Sequence, residues 1–166
     1  MAVLPILRWP DPRLATPCAP VGAEDVSLLA ADMLETMYAA PGRGLAAPQI
    51  GVLKRLFVMD VAWKGGLPAP RVVIDPQILW RSDDTATGSE GCLSIPGITT
   101  DITRATQIRM AWTDQNGQLH EEILTGFAAI CAQHEYDHLD GVVTFDRMAP
   151  DLSAAVQAAY LDQTPT

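Results

Sequence analysis

The sequence predicts an α+β fold of antiparallel strands wrapped around one central buried helix, and three observations carry that expectation. The stretch 127–139 is apolar nearly all round. Phe127, Ile130, Cys131, His134 and His138 recur at helical spacing on one stripe, and Ala128, Ala129, Ala132 and Leu139 fill most of the remainder. Such a helix belongs at the centre of a domain. Asn116-Gly117, set between apolar-rich segments 107–113 and 118–124, signals a two-strand hairpin, because both central residues of the favoured turn need positive φ. Neither an internal repeat nor a long linker divides the 166 residues, so 1–166 reads as a single domain.

The elements follow in order. Val26, Leu29, Ala30, Met33 and Met37 form a helical stripe after Glu24-Asp25, ending at the glycine-flanked run Gly42-Arg43-Gly44-Leu45-Ala46-Ala47-Pro48-Gln49-Ile50-Gly51. Segments 55–61 and 71–74 read as short strands joined through Gly65-Gly66 and a proline-rich turn. Thr125 stands where it can cap the central helix. The alanine-rich tail, 148–166, predicts a short helix over 150–160 capped near Asp151, with packing as its role.

Chemistry enters with Gln133-His134-Glu135-Tyr136-Asp137-His138. Two histidines at i and i+4 share one helix face, so both imidazoles reach one divalent ion, while Glu135 is carried round to the ion's open side as a general base. A third ligand is required. One protease pattern places it in a further histidine, but Thr144 occupies that position although Gly141 fits, and no Glu or His follows Gly141. His120 reads as a solvated strand residue. The candidate is Cys92, in Ser89-Glu90-Gly91-Cys92-Leu93-Ser94-Ile95-Pro96-Gly97, where a glycine and a proline-stiffened turn can present a thiolate. Alone, it would read as a small buried hydrophobe. The loop 42–51 adds backbone donors and the Gln49 amide, and it lacks the spacing of a phosphate loop.

Together these three segments resemble the peptide deformylases, whose signatures G-hydrophobic-G-L-A-A-x-Q, E-G-C-L-S and Q-H-E-x-D-H appear here in the family's order. The likeness runs from Val3-Leu4-Pro5-Ile6-Leu7 through Asp11-Pro12-Arg13-Leu14 to about Phe145. It implies metal-dependent hydrolysis of the N-formyl group of N-formylmethionyl nascent peptides. It implies metal ligands Cys92, His134 and His138, Glu135 as base, and oxyanion donors in the Gln49 amide and the Leu93 backbone N–H. Arg43 and Gly44 would pair with an extended peptide, Glu90 would stand on the substrate side, and Phe127, Ile130 and Cys131 would line the methionine pocket. The implied cofactor is one divalent ion, Fe(II), with Zn, Ni or Co as substitutes.

Three positions depart from the family pattern. Arg43 replaces an aliphatic residue, so its charge narrows the pocket, favours an acidic neighbour on the substrate, or reaches water along its stem. Thr99 replaces a substrate-contacting arginine, and Gly88 replaces a bulkier pocket residue; Arg104 stands to pair with Glu90. A zinc metalloprotease-like peptidase and a catalytically weak deformylase-like binding protein are the alternative readings.

A net charge of −9 argues against free nucleic acid as a partner, since phosphate contacts need clustered cations. With Arg147 the only basic residue after Gly141, any ribosome contact is expected to be weak and transient. No apolar run of roughly 18 residues reads as a membrane span, and no signal-peptide pattern opens the chain, so a cytoplasmic address is expected. Three cysteines, one assigned to metal, do not form a secreted disulfide framework, and Cys18 is expected to be inert.

Overall fold

The computed structural model describes residues 2–163. Its helices are α1 (Ser27–Ala39), α2 (Gly126–Leu139) and α3 (Pro150–Leu161). Its strands are β1 (Gly44–Ala46), β2 (Leu56–Met59), β3 (Arg71–Arg81), β4 (Thr85–Cys92), β5 (Ile95–Ala105), β6 (Gln107–Thr113) and β7 (Leu119–Thr125). The named strands pair antiparallel throughout. Strands β1-β2-β3-β6-β7 form one sheet in that order, and β4-β5 form a separate ribbon.

Period-2 alternation explains how the larger sheet is covered on both faces. Leu45, Leu56, Val58, Val72 and Ile74 face α1 and meet Ala30, Met33 and Met37 there. Their neighbours Ala46, Phe57, Met59 and Val73 face the other way, joining Ile108, Met110 and Leu124 around Ala129, Cys131, Ala132 and Leu139 of α2. All four residues of β2 are therefore buried, and each large side chain there contributes about 1.5–3 kcal/mol. The ribbon closes over α2 from the side of β5, and a third cluster of Leu14, Ile95, Val143 and Phe145 anchors α3 through Val156 and Tyr160.

Helix α2 stops one residue beyond its motif for a local reason. Gly141 has φ +76, its N–H donates to the His138 carbonyl, and the Val142 N–H donates to the Asp137 carbonyl. A Cβ at Gly141 would lie 2.7 Å from the Ala15 backbone, so its glycine is explained by the helix end and by packing.

Several local expectations need correction. The strand read over 71–74 continues to Arg81, because a register shift between Ile74 and Gln77 carries it past Pro76. Asp75 sits at φ 48 in that bulge, and its carboxylate accepts from the N–H groups of Val21 and Gly22. Thr125 occupies the N-cap of α2 but makes no side-chain capping bond. In α3 the cap position is Ala149, and Asp151 lies inside the first turn after Pro150. His120 is not simply solvated: it stacks on Trp112 with ring centroids 5.1 Å apart and bonds the Asp114 carboxylate at 2.7 Å. The hairpin itself stands, with Gly117 at φ +79.

Candidate active site

Strand β1 is an edge of the larger sheet, and the Cys92 end of β4 faces it across α2. Between them lies a cleft of about 570 Å³ lined by residues of the loop 42–49, the turn 89–99 and α2. A thiol and two imidazoles converge at its floor. One ligand atom each from Cys92, His134 and His138 lies within 4.8 Å of the others, and Cys92 Sγ is 3.5 Å from His138 Nε2. One thiolate and two imidazoles suit zinc, iron, cobalt or nickel.

Glu90 and Arg104 orient this floor. His134 Nδ1 donates to Glu90 Oε1 at 2.9 Å, which leaves Nε2 free for a ligand on the inner side. Arg104 clamps Glu90 in a bidentate pair at 2.7 and 3.0 Å and reaches Asp137 at 3.0 Å, while Arg147 closes on the other side of Asp137 at 2.7 and 3.0 Å. Arg104 and Glu90 side chains are only 5% and 7% exposed, so their pairing offsets a large desolvation cost. Glu90 thus fixes the His134 ring and also lines the cleft, where the sequence put it toward substrate. Asp137 and Arg147 were not assigned any role from sequence. The sign of Asp137 was a second carboxylate, two residues after Glu135, on a buried helix.

Burial opposes protonation of His134, but Glu135, Cys92 and Glu90 outweigh it and hold the ring's pKa well above the usual value. Burial and the neighbouring His134 charge push His138 the other way. Glu135 is 4% exposed, its Oε1 has no protein partner among the described residues, and burial lifts its pKa to about 7. Three donors suited to a divalent cation, with a buried carboxylate beside them that no protein donor satisfies, fit a metal ion.

Gly44 permits this closeness: a Cβ there would lie 2.6 Å from Glu135 Oε2 and 2.9 Å from Cys131 Sγ. Gln49 is fully packed. Its Oε1 accepts from the Ala46 N–H at 2.9 Å, which turns the NH₂ toward Ser94 Oγ at 3.0 Å and Cys92 Sγ at 3.7 Å. Leu93 lies in the turn between β4 and β5, packed against Gly42. Phe127, Ile130 and Cys131 line the cleft wall, so the apolar stripe of α2 turns into a cavity at its N-terminal end; Phe127 is 50% exposed, contrary to a wholly inward stripe. Burial raises the Cys131 thiol well above its ordinary value. Arg43 and Thr99 also line the cleft. Gly88 does not: it lies opposite Ile102 on the exposed part of the ribbon, and a Cβ there would touch nothing. Cys18 is buried, with its thiol pKa raised by desolvation.

An α+β shell around a helix that brings soft metal donors and a buried carboxylate to the floor of a cleft defines a hydrolytic metalloenzyme. The polypeptide deformylase model matches residues 3–153, and the chain belongs to that family. It is similar to the peptide deformylase of Alkalilimnicola ehrlichii, at 50% identity over 90% of this chain and 84% of that one. It is similar to that of Phenylobacterium zucineum at 47% identity, covering 90% and 89%. Among solved structures, a peptide deformylase from Legionella pneumophila superposes with TM-score 0.89 at 37% identity over 97% of this chain and 94% of that one. The enzyme from Thermotoga maritima gives 0.84 at 41% identity over 90% and 100%. Membership brings the family's metal-dependent reaction, hydrolysis of the N-formyl group from N-formylmethionyl peptides.

Proposed function

We propose that Cys92, His134 and His138 hold one divalent cation, natively Fe(II), and that Glu135 is the general base that deformylates N-formylmethionyl nascent peptides. The observation that carries this reading is the convergence of the three donors beside a buried, unpartnered Glu135. When bound, the cation supplies Lewis acidity and lowers the pKa of water from about 16 toward roughly 7.

The chain's own residues do the rest. Glu135 takes a proton from the attacking water as its oxygen bonds the formyl carbon. It returns that proton to the amine nitrogen when the C–N bond breaks, releasing formate and a free N-terminus. A carboxyl lifted toward 7 is matched to taking and returning one proton near neutral pH. The Gln49 NH₂, oriented by the Ala46 N–H, donates to the developing oxyanion with the Leu93 N–H; one such donor is worth about 2.7–4 kcal/mol. Phe127, Ile130 and Cys131 receive the methionine side chain, and Arg43 and Gly44 offer backbone groups of the β1 edge to an extended peptide.

The working partners are nascent chains in the cytoplasm, with at most weak and transient ribosome contact; free nucleic acid and membranes are not partners. Supporting this, Arg147 is tied to Asp137 and α3 packs onto Trp9 and Phe145. Among the described residues no helix is long and apolar enough to cross a membrane.

Formate release from formyl-Met-Ala-Ser tests the reading. Activity should vanish on chelation and return with Fe(II), Co(II) or Ni(II). Formate release that survives complete metal removal would overturn it.

A further inference from the structure

We infer that Arg43 and Lys64 form a cationic rim that selects formylmethionyl peptides with acidic residues just after the methionine. This rests on the deformylase reading and adds a substrate preference to it. Four carboxylate or guanidinium groups near the floor neutralise one another, so the accessible charge of the cleft is set by its rim. Arg43 and Lys64 are the exposed cations lining it.

Neither cation has a carboxylate partner among the described residues. Each lies instead over an aromatic ring, Arg43 Cζ 5.0 Å from the Phe127 centroid and Lys64 Nζ 5.6 Å from that of Trp63. A ring face positions a cation while leaving its hydrogen-bond donors available. The two segments are joined: Trp63 Nε1 donates to the Gly42 carbonyl at 3.0 Å, and the Asp60 N–H donates to the Arg43 carbonyl at 2.8 Å. Asp60 itself does not answer the rim charge. It is 1% exposed, and its oxygens accept from the N–H groups of Ala62, Trp63 and Ala69 and from the Tyr38 hydroxyl.

Placement fixes which substrate residues are read. Gly44 abuts Glu135, so the reacting end of a peptide lies there, and Arg43 is one residue further out along the same edge. An extended peptide advances about 3.3 Å per residue, which brings its second and third residues to the rim. Glu90 does not oppose an acidic substrate, because Arg104 holds it in a bidentate ion pair, and Glu135 faces the reacting end.

Steady-state kinetics on the metal-loaded protein with formyl-Met-Asp-Asp-Ser, formyl-Met-Asn-Asn-Ser and formyl-Met-Lys-Lys-Ser provides the test. The Asp peptide should exceed the Asn peptide in kcat/KM by about three- to tenfold, mainly through KM, with the Lys peptide below both. High salt should shrink the ratio. Arg43→Gln and Lys64→Gln should each reduce it, their combination should bring it to about one, and Arg43→Lys should retain it. The ratio is the readout, so a general loss of rate does not mimic the effect. A ratio of one in the native protein, or one that survives the double replacement, would overturn the inference. Formate absent from all three peptides would contradict the deformylase reading itself. In that case calorimetric affinities for acetyl-Met-Asp-Asp-Ser and acetyl-Met-Asn-Asn-Ser decide the rim's preference, equal affinities overturning it.

Discussion

Among the described residues, every charged side chain at the floor of the cleft except Glu135 is answered by another, whereas at the rim Arg43 and Lys64 meet only ring faces. The floor is a chain of contacts from His134 through Glu90, Arg104 and Asp137 to Arg147, and it ties β4, β5, α2 and the turn after α2 together. Removing any member takes a hydrogen-bond partner from a buried charged side chain. The rim has no such constraint, so its residues can change without disturbing the chemistry below. Reaction type is thus written into the interior, and substrate preference into a surface free to vary.

The sharpest way to break that contrast is at the one floor carboxylate without a partner. Glu135→Ala should retain stoichiometric metal and lose deformylation by roughly 10²- to 10⁴-fold; metal analysis beside a formate assay checks both halves. Next comes Glu90→Ala, which strips His134 of its acceptor and leaves Arg104 with Asp137 alone. It should cost about 3–5 kcal/mol in denaturant unfolding and roughly 10- to 100-fold in metal affinity. Gly44→Ala probes the closeness of β1 to α2. A Cβ 2.6 Å from Glu135 Oε2 should force a shift costing about 1–3 kcal/mol, seen as a lower midpoint of chemical unfolding. The smallest effect belongs to the surface. Arg71→Ala, which breaks the half-exposed pair with Glu122, should change stability by about 0–1 kcal/mol, measured the same way.

Much of this arrangement was legible from residue order because it rests on local rules. The 3.6-residue period named α1 and α2, the Asn116-Gly117 pair named the β6-β7 turn, and i, i+4 spacing put His134 and His138 on one face. What escaped was set by contacts distant in the chain. The pairing of Arg104 with Glu90 was expected and is present, but its reach to Asp137, 33 residues away, was not, since no spacing rule links side chains brought together by a ribbon folding over a helix. The strand over 71–74 runs on to Arg81 because the bulge at Asp75, whose carboxylate accepts from Val21 and Gly22, carries the pairing past Pro76, and such a bulge depends on contacts far away in the chain. Gly88 was expected in the pocket, but it lies on the ribbon outside the cleft lining, where a Cβ would touch nothing. Thr125 occupies a cap position without capping, which residue type alone does not reveal.

The central claim is that the interior supplies one thiolate and two imidazoles to a single ion, and the cleft contains a second cysteine, Cys131, that makes the claim testable. Electronic absorption of the cobalt-loaded protein reads it most directly, since a thiolate ligand gives a sulfur-to-cobalt charge-transfer band. The native protein and Cys131→Ser should both show the band at one cobalt per chain, and Cys92→Ser should lose it. A band that persists in Cys92→Ser and disappears in Cys131→Ser would place the metal elsewhere and contradict the account.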